Sequence, residues 1–522
     1  MIRSSPISRR SFLAISTLSA ASIGRVCARD ESVGHAKHLP VADIAASLTR
    51  MEDFGRRAPF GWQVGGIPTV GQTGELQLKW RALEPLEGAA TRLRICVLDT
   101  REERTQVEAF LENSGRVLGT FDLRWVADFQ LFEITLNARD TADVLREGVR
   151  LRQTAGAAPV WILIGSGSGP AMPDPLHPHL LIDSPTNPQA EYFARMDSLA
   201  CVQGFGWMAG CVLDGVRDLA ALPRYRHLQR SLKELLALWF KPDGRLIYEN
   251  LEGKPADNRI SGIGSTLPFA ALALEQPDHA SIQLALSFWK EREERDPDGC
   301  IVDRTTTNSE GAYTVGYPMA VLAGQRKDSA LARRALHQVM LRQQRLFDGK
   351  AFHRTHAVRD DGRISQSDRN WCRGIAWQFL GLTRTAVALD GMLDISKARA
   401  EIVRLADWII PHQLPSGLWS VFVDEPQLRP DTSGSAGIGA ALALGVKHDW
   451  LGTSARLSAM KCLEGLKQHL TPDGFLGGAS QSNKGGPKLQ RSDYRVIYQM
   501  GMGMMAQLIA ALHELEAPRV TD

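Results

Sequence analysis

The sequence predicts a mainly helical fold, six helical hairpins closed into an (α/α)6 toroid, preceded by a smaller β-rich, sandwich-like domain. Three observations predict it. Before about residue 165 the apolar residues fall in short, partly alternating runs. After about 190 they fall in helical stretches of roughly 14–20 residues. One turn shape then recurs: Pro242-Asp243-Gly244, Pro297-Asp298-Gly299, Phe347-Asp348-Gly349, Pro415-Ser416-Gly417 and Pro472-Asp473-Gly474, each followed by a short apolar run. The glycines are 55, 50, 68 and 57 residues apart, which leaves room for two helices and a hairpin per unit. Finally, the stretches 309–324, 371–388, 433–446 and 495–515 are apolar on most faces. An open helical solenoid would show the same repeat, but all-round apolar helices suit the buried inner ring of a toroid.

Taken in order, residues 1–28 read as a twin-arginine export signal. Ser8-Arg9-Arg10-Ser11-Phe12-Leu13 precedes an apolar stretch, Phe12–Ile23, too short to span a bilayer core of about 30 Å, and Ala28 suits cleavage. The expected location is periplasmic or secreted. Residues 29–58 read as a lead-in with one amphipathic segment, Val41–Thr49. Residues 59–165 form the β-rich domain, with strands over Glu75–Trp80, Arg92–Leu98, Arg116–Leu123, Phe129–Leu136, Val149–Gln153 and Val160–Ile164. Residues 166–188 carry six prolines from Pro170 to Pro188 and read as a linker. His177-Pro178-His179 with Asp183 offers metal-ligand side chains inside it, but proline-rich connection is the reading taken. Residues 189–516 hold the toroid. Its helices are predicted at 199–220 and 226–240, 261–275 and 279–293, 309–324 and 328–345, 371–388 and 395–412, 433–446 and 453–469, and 495–515, with Asn187–Leu199 as the twelfth.

Composition narrows the function. The formal net charge is +3, but residues 1–28 hold four arginines and no acid. The rest carries 57 basic and 58 acidic side chains, a net of −1. That gives no electrostatic case for nucleic acid or an anionic membrane. The six cysteines after Cys27 have no metal-ligand spacing and sit among apolar neighbours, which predicts buried free thiols. No cofactor and no metal is expected, and the oligomeric state is left open.

In a toroid of this order the loops entering the inner helices share one rim. Unusual residues gather there: Ala256-Asp257-Asn258-Arg259 through Gly262, Asn308-Ser309-Glu310-Gly311-Ala312-Tyr313, Asn370-Trp371-Cys372-Arg373 through Trp377, Asp431-Thr432-Ser433-Gly434-Ser435, and Tyr494 with Tyr498. Acids, arginine and aromatics on one rim suit a sugar, because rings stack on pyranose C–H faces while charged groups bind hydroxyls and anions.

These segments resemble the unsaturated glucuronyl and rhamnogalacturonyl hydrolases of glycoside hydrolase families 88 and 105. The resemblance runs from about 190 to 516. Trp371-Cys-Arg373-Gly-Ile-Ala-Trp377 is similar to the family's W-x-R-G-x-x-W, and Gln413-Leu-Pro-Ser-Gly417-Leu-Trp419 to its Q-x-x-x-G-x-W. Asp431-Thr432-Ser433-Gly434-Ser435-Ala436, Asp473-Gly474-Phe475-Leu476 and Met500-Gly501-Met502-Gly503 fit in the same order. The resemblance implies the six-hairpin glycosidase toroid and hydration of the C4=C5 double bond of a uronic acid. An acid protonates C4, water adds at C5, and the hemiketal collapses to free the aglycone.

By the same resemblance Glu310, in Glu310-Gly-Ala-Tyr313-Thr-Val-Gly-Tyr-Pro318, stands where the family has its catalytic Asp, one methylene longer, and the second family acid falls on Asp257. Both carboxylates are expected to face one another. Substrate contact is expected from Trp207, His353, Trp371, Arg373, Trp377, Tyr313, Asp431 and Tyr494, and the partner is an oligosaccharide. Two alternatives stay open at this point, hydrolysis of saturated uronides and a non-catalytic carbohydrate-binding toroid. The β-rich domain could bind glycan, cap the rim or mediate dimerisation.

Overall fold

Short runs of β-branched and aromatic residues broken by Gly and Pro give the first 150 described residues their strands. The structure, a computed structural model, describes residues 34–81, 89–98, 100, 102–294, 296–359 and 361–516, and the export signal expected in 1–28 lies outside them. The strands are β1 (His38–Pro40), β2 (Asp43–Ala46), β3 (Gln63–Ile67), β4 (Leu76–Lys79), β5 (Thr91–Val97), β6 (Gln106–Leu111), β7 (Val117–Asp122), β8 (Gln130–Leu136), β9 (Val149–Ala155), β10 (Val160–Gly165) and β11 (His179–Ile182). One antiparallel sheet runs β1-β11-β5-β10-β3, with β8 also on β5. The other runs β2-β4-β9-β6-β7. Central β5 is buried along nearly all its length, while edge strand β7 is half open. Both sheets share one core.

All six predicted strands are present, but the boundaries need correction. The segment read as a lead-in supplies β1 and β2, and the segment read as a linker supplies β11, which pairs with β1 and β5. Both belong to the β-rich unit. They were illegible because each strand is only three or four residues long and lies beside proline, which is tolerated at a sheet edge such as β1. A helix, α1 (Ala138–Glu147), was also not foreseen, although Asn137 caps it by accepting from the Asp140 N–H at 2.9 Å.

The remaining chain pairs its helices in order: α2 (Pro188–Met196), α3 (Trp207–Ala220) and α4 (Leu228–Ala237), α5 (Pro268–Glu275) and α6 (Ile282–Glu293), α7 (Tyr317–Arg326) and α8 (Ser329–Leu346), α9 (Cys372–Leu389) and α10 (Ser396–Ile409), α11 (Thr432–Lys447) and α12 (Thr453–Lys467), the short α13 (Gly486–Arg491), and α14 (Gln499–Glu516). Helices α3, α5, α7, α9, α11 and α14 touch in that order, and α14 packs back on α3, so the inner ring is closed. Helix α2 completes the sixth pair, its Tyr192 hydroxyl donating to Met502 O at 2.8 Å. Where inner helices meet, glycine removes the side chain. At Gly503 a Cβ would overlap the Cys211 backbone, and at Gly381 it would overlap the Ala312–Tyr313 backbone.

The five turn glycines all adopt positive φ, from +72° to +90°, as the repeat requires. Each turn leads from an outer helix to an inner one, so the loops converge on one rim. The six cysteines described are all buried and free. Among the described residues no helix is long and apolar enough to cross a membrane.

Candidate active site

Glu310 opens the helical run that continues into α7. Asn308 caps this run, its Oδ1 accepting from the Gly311 N–H at 3.1 Å. The next turn, Ala312–Gly316, is a π-turn, and its cause lies in the sequence. Pro318 has no N–H for the Thr314 carbonyl, which instead accepts from the Thr266 hydroxyl of the neighbouring inner segment. Gly311 is there for a different reason. The fully buried Arg342 guanidinium, held by Asn308 O and Ile301 O, lies where a Cβ at 311 would go. Gly311→Ala should therefore displace a buried cation from its carbonyls and cost at least the ~1–3 kcal/mol of an overpacked core, read as a lower denaturant midpoint.

The Glu310 carboxylate keeps 28% of its side-chain surface. Burial raises its pKa above the ordinary glutamate value, Arg354 and Arg373 oppose the rise, and Asp303 and Asp368 add to it. Arg354 Nη1 lies 3.8 Å from Glu310 Oε1 and is held from behind by Asp368, which accepts from its Nε at 2.7 Å. Arg354 and Asp368 belong to a hairpin of β13 (His353–Val358) and β14 (Ile364–Arg369), tied to the Glu310 segment through β12 (Thr307–Asn308). Arg373, in the first turn of α9, is almost fully buried. It donates to Ser480 O at 2.7 Å, Gln481 O at 2.6 Å and Ser433 Oγ at 3.2 Å. Among the described residues no carboxylate pairs with it. An arginine charge left unneutralised beside a carboxylic acid is a ready receptor for an anionic ligand group.

Asp431 is fully buried, behind the arginine rather than at the open rim. Its carboxylate accepts from Ser433 N and Oγ and from Ser480 N and Oγ, the two residues that also hold Arg373. It is a positioning residue for that arginine. Trp207, which opens α3, is half-buried and packs edge-on against Trp377 at 5.5 Å and Tyr498 at 6.1 Å. Of the expected tryptophan contacts Trp207, Trp371 and Trp377, it alone keeps more than a trace of exposed surface.

Several expected residues lie elsewhere. Tyr313 is fully buried, its hydroxyl donating to Asp214 at 2.5 Å and its ring stacked between Tyr317 and Trp377. Trp377 and Trp371 are each 2% exposed; Trp371 donates from Nε1 to Gln490 at 3.2 Å and lies under the Arg373 guanidinium. These three pack rather than bind. Tyr494 donates to Asp122 O at 2.7 Å and stacks with Arg124, so it joins the toroid to the β-rich unit. His353 precedes Arg354 on β13. His353 lines a groove of about 400 Å³ with His356 and Asp348, while Arg354 reaches Glu310.

The carboxylate pair also needs correction. Asp257 is gripped at both oxygens by Arg57 of the β-rich unit, at 2.8 and 2.9 Å. That bond holds its pKa below the ordinary aspartate value, so it stays ionised. Arg57 also pairs with Glu249, whose burial raises its pKa to about 7. Among the described residues no hydrogen bond or shared partner joins Asp257 to Glu310; Asp257 clamps the two units together through Arg57. Asp303, Arg354 and Asp368 take its place around Glu310, and none was singled out by the sequence. Asp303 follows the second repeat turn and accepts from Ile263 N at 2.8 Å.

The β-rich unit borders this rim. Gln499, at the start of α14, donates to Phe129 O at 2.5 Å. Gln130 accepts from Gln481, whose own carbonyl holds Arg373.

Residues 310–515 match Glycosyl Hydrolase Family 88. No curated protein matches the chain. Among solved structures, a glycoside hydrolase of family 105 from C. acetobutylicum ATCC 824 aligns with 16% identity and a TM-score of 0.52, covering 62% of this chain and 99% of that one. A possible member of family 105 from Salmonella enterica serovar Paratyphi A aligns with 17% identity and a TM-score of 0.51, covering 60% and 84%. One from Klebsiella pneumoniae gives 18%, 0.51, 60% and 83%. At these identities the structures establish the toroid, and the family match lies on the half of it that begins at Glu310. The helical domain thus resembles glycoside hydrolase families 88 and 105.

Proposed function

We propose that the protein releases an uronic acid from the end of an oligosaccharide by hydrating its C4=C5 double bond, with Glu310 as proton donor and base. The observation that carries this reading is the partly exposed Glu310 carboxyl at the mouth of the toroid, with raised pKa and with Arg354 and Arg373 near it. A carboxyl that holds its proton toward neutral pH can protonate C4 and then take a proton from the water that adds at C5. Arg373 and Arg354 supply positive charge for the uronate carboxylate, and Trp207 supplies a ring face. The scheme needs one acid–base group, in contrast to the two-carboxylate glycosidases. The test is turnover of lyase-generated oligosaccharides, followed as loss of the double bond's ultraviolet absorbance. Turnover of saturated uronides alone would replace this reading with ordinary uronide hydrolysis.

Arg354 gives a test by pH. It holds the Glu310 pKa down, so Arg354→Met should raise it further. The reaction needs the protonated acid, and activity falls as pH rises through that pKa. The alkaline limb of kcat/KM should therefore move to higher pH in the variant. A limb that stays in place would assign it to another group. Export through the twin-arginine route belongs to the same reading, on the strength of Arg9 and Arg10. Replacing both with Lys should leave precursor in the cytoplasm, seen by fractionation.

A further inference from the structure

His38, His179 and Asp473 meet in the seam between the β-rich unit and the toroid, and Asp473 is the odd member of its repeat. At the same place in three other turns, Asp243 and Asp298 are 52% and 63% exposed and Asp348 is exposed. Asp473 is fully buried. One of its oxygens accepts from the Thr471 hydroxyl at 2.8 Å. The other faces His38 Nε2 at 3.2 Å and accepts from Arg94 Nη1 at 2.5 Å.

His179 is fully buried. Its Nδ1 lies 2.7 Å from His177 O, so that nitrogen carries the hydrogen and donates it. The lone pair is then on Nε2, which is buried and without a hydrogen-bond partner among the described residues. The rings of His38 and His179 stand 4.8 Å apart and nearly perpendicular. One ligand atom from each of the three side chains lies within 4.8 Å of the others.

Two imidazoles and a carboxylate form a donor set for a borderline dication. A histidine fixed by a carbonyl on one nitrogen and free on the other is the arrangement found in metal-bound histidines. The 3.2 Å between His38 Nε2 and Asp473 Oδ2 is close to the roughly 3.3 Å that separates ligand atoms around a tetrahedral ion with bonds of about 2.0 Å. Arg94 does not close the site. A carboxylate oxygen has two lone pairs, and the other arm of Arg94 is on Glu133 at 2.7 Å.

We propose that His38, His179 and Asp473 form a structural site for a zinc-type dication that staples β1 and β11 of the β-rich unit to the last repeat turn of the toroid. The site is separate from Glu310 and does not depend on the reaction proposed for it. The test uses the full chain without a polyhistidine tag, stripped with chelator, dialysed against dilute Zn2+ and assayed for metal content and thermal unfolding. The expected result is one zinc per chain, an unfolding midpoint that rises with Zn2+, and a visible absorption band of tetrahedral type on replacement by Co2+. His38→Gln and His179→Gln should each weaken binding by at least about tenfold, whereas His353→Gln should not. His38 lies at the margin of the seam, 10% exposed, so its variant keeps the test open if the His179 variant fails to fold. No zinc retained by the wild type, or equal zinc retained by His38→Gln, would overturn the site and leave the cluster joined by hydrogen bonds alone.

Discussion

Glu310→Gln should lower turnover of an unsaturated uronide by about 10²–10⁴, the range for loss of a general acid–base group, with substrate affinity nearly unchanged. The amide keeps the volume and hydrogen-bonding shape of the side chain but cannot deliver a proton to C4. Folding should be unaffected, because the carboxylate makes only a 3.5 Å contact with Asn308 and a 3.8 Å ion pair with Arg354. Glu310→Asp sharpens the test. It restores the side chain that the resembling families carry, but draws the carboxylate back by one methylene, about 1.5 Å. A misplacement of about 1 Å can cost about 10²-fold. If the hairpin carrying Arg354 has settled around the longer side chain, the Asp form should be crippled. A gain on unsaturated uronides would instead mean that the natural site is tuned to another substrate. Turnover unchanged by either substitution would make Glu310 a helix-end acid.

The largest effect on stability is expected from Arg94→Met. Arg94 and Asp473 are both fully buried and pair at 2.5 Å across the seam, and Arg94 also holds Glu133. In the metal-free protein, removing the cation leaves a buried carboxylate without its arginine partner, a change that costs about 3–5 kcal/mol in such pairs. The denaturant midpoint should fall accordingly, and unfolding should lose its single transition if the two units come apart. The pH dependence has a definite sign. Burial alone would raise the Asp473 pKa, but Arg94 and His38 outweigh it and hold it well below the ordinary aspartate value. The pair's contribution is therefore present above the unfolded-state pKa, about 3.9, and fades as pH falls through the lower folded value. In the Met variant that acid-side loss should shrink.

How much of this was legible in the sequence follows from the range of each interaction. The turn glycines and all-round apolar helices are local signals, and they gave the closed ring. Glu310 and Arg373 drew attention because the rim motifs keep their order along the chain, whereas Asp431, expected to contact sugar, lies buried behind Arg373. Asp257 was misread because its partner, Arg57, lies 200 residues earlier in another unit. No local pattern records that clamp. His353 missed by one residue: a histidine after an aromatic drew attention, but it is Arg354, the next residue, that reaches Glu310. Tyr313 and Trp377 sat in the right motifs, yet a ring of inner helices needs large side chains at its centre, and packing claimed them. Strands β1 and β11 went unseen because they are short and become strands only by pairing with each other and with β5.

The central claim is that Glu310 is the acid that meets C4 of an unsaturated uronide held by Arg373 and Arg354. Its most direct test is a crystal structure of the Glu310→Gln protein with an unsaturated uronyl disaccharide. The account predicts the ring at the mouth of the toroid, C4 within about 3.5 Å of the residue 310 amide, the carboxylate against Arg373 or Arg354, and a ring face on Trp207. A disaccharide seated in the groove of His353 and His356, or at the Arg57–Asp257 clamp with residue 310 out of reach, would contradict it.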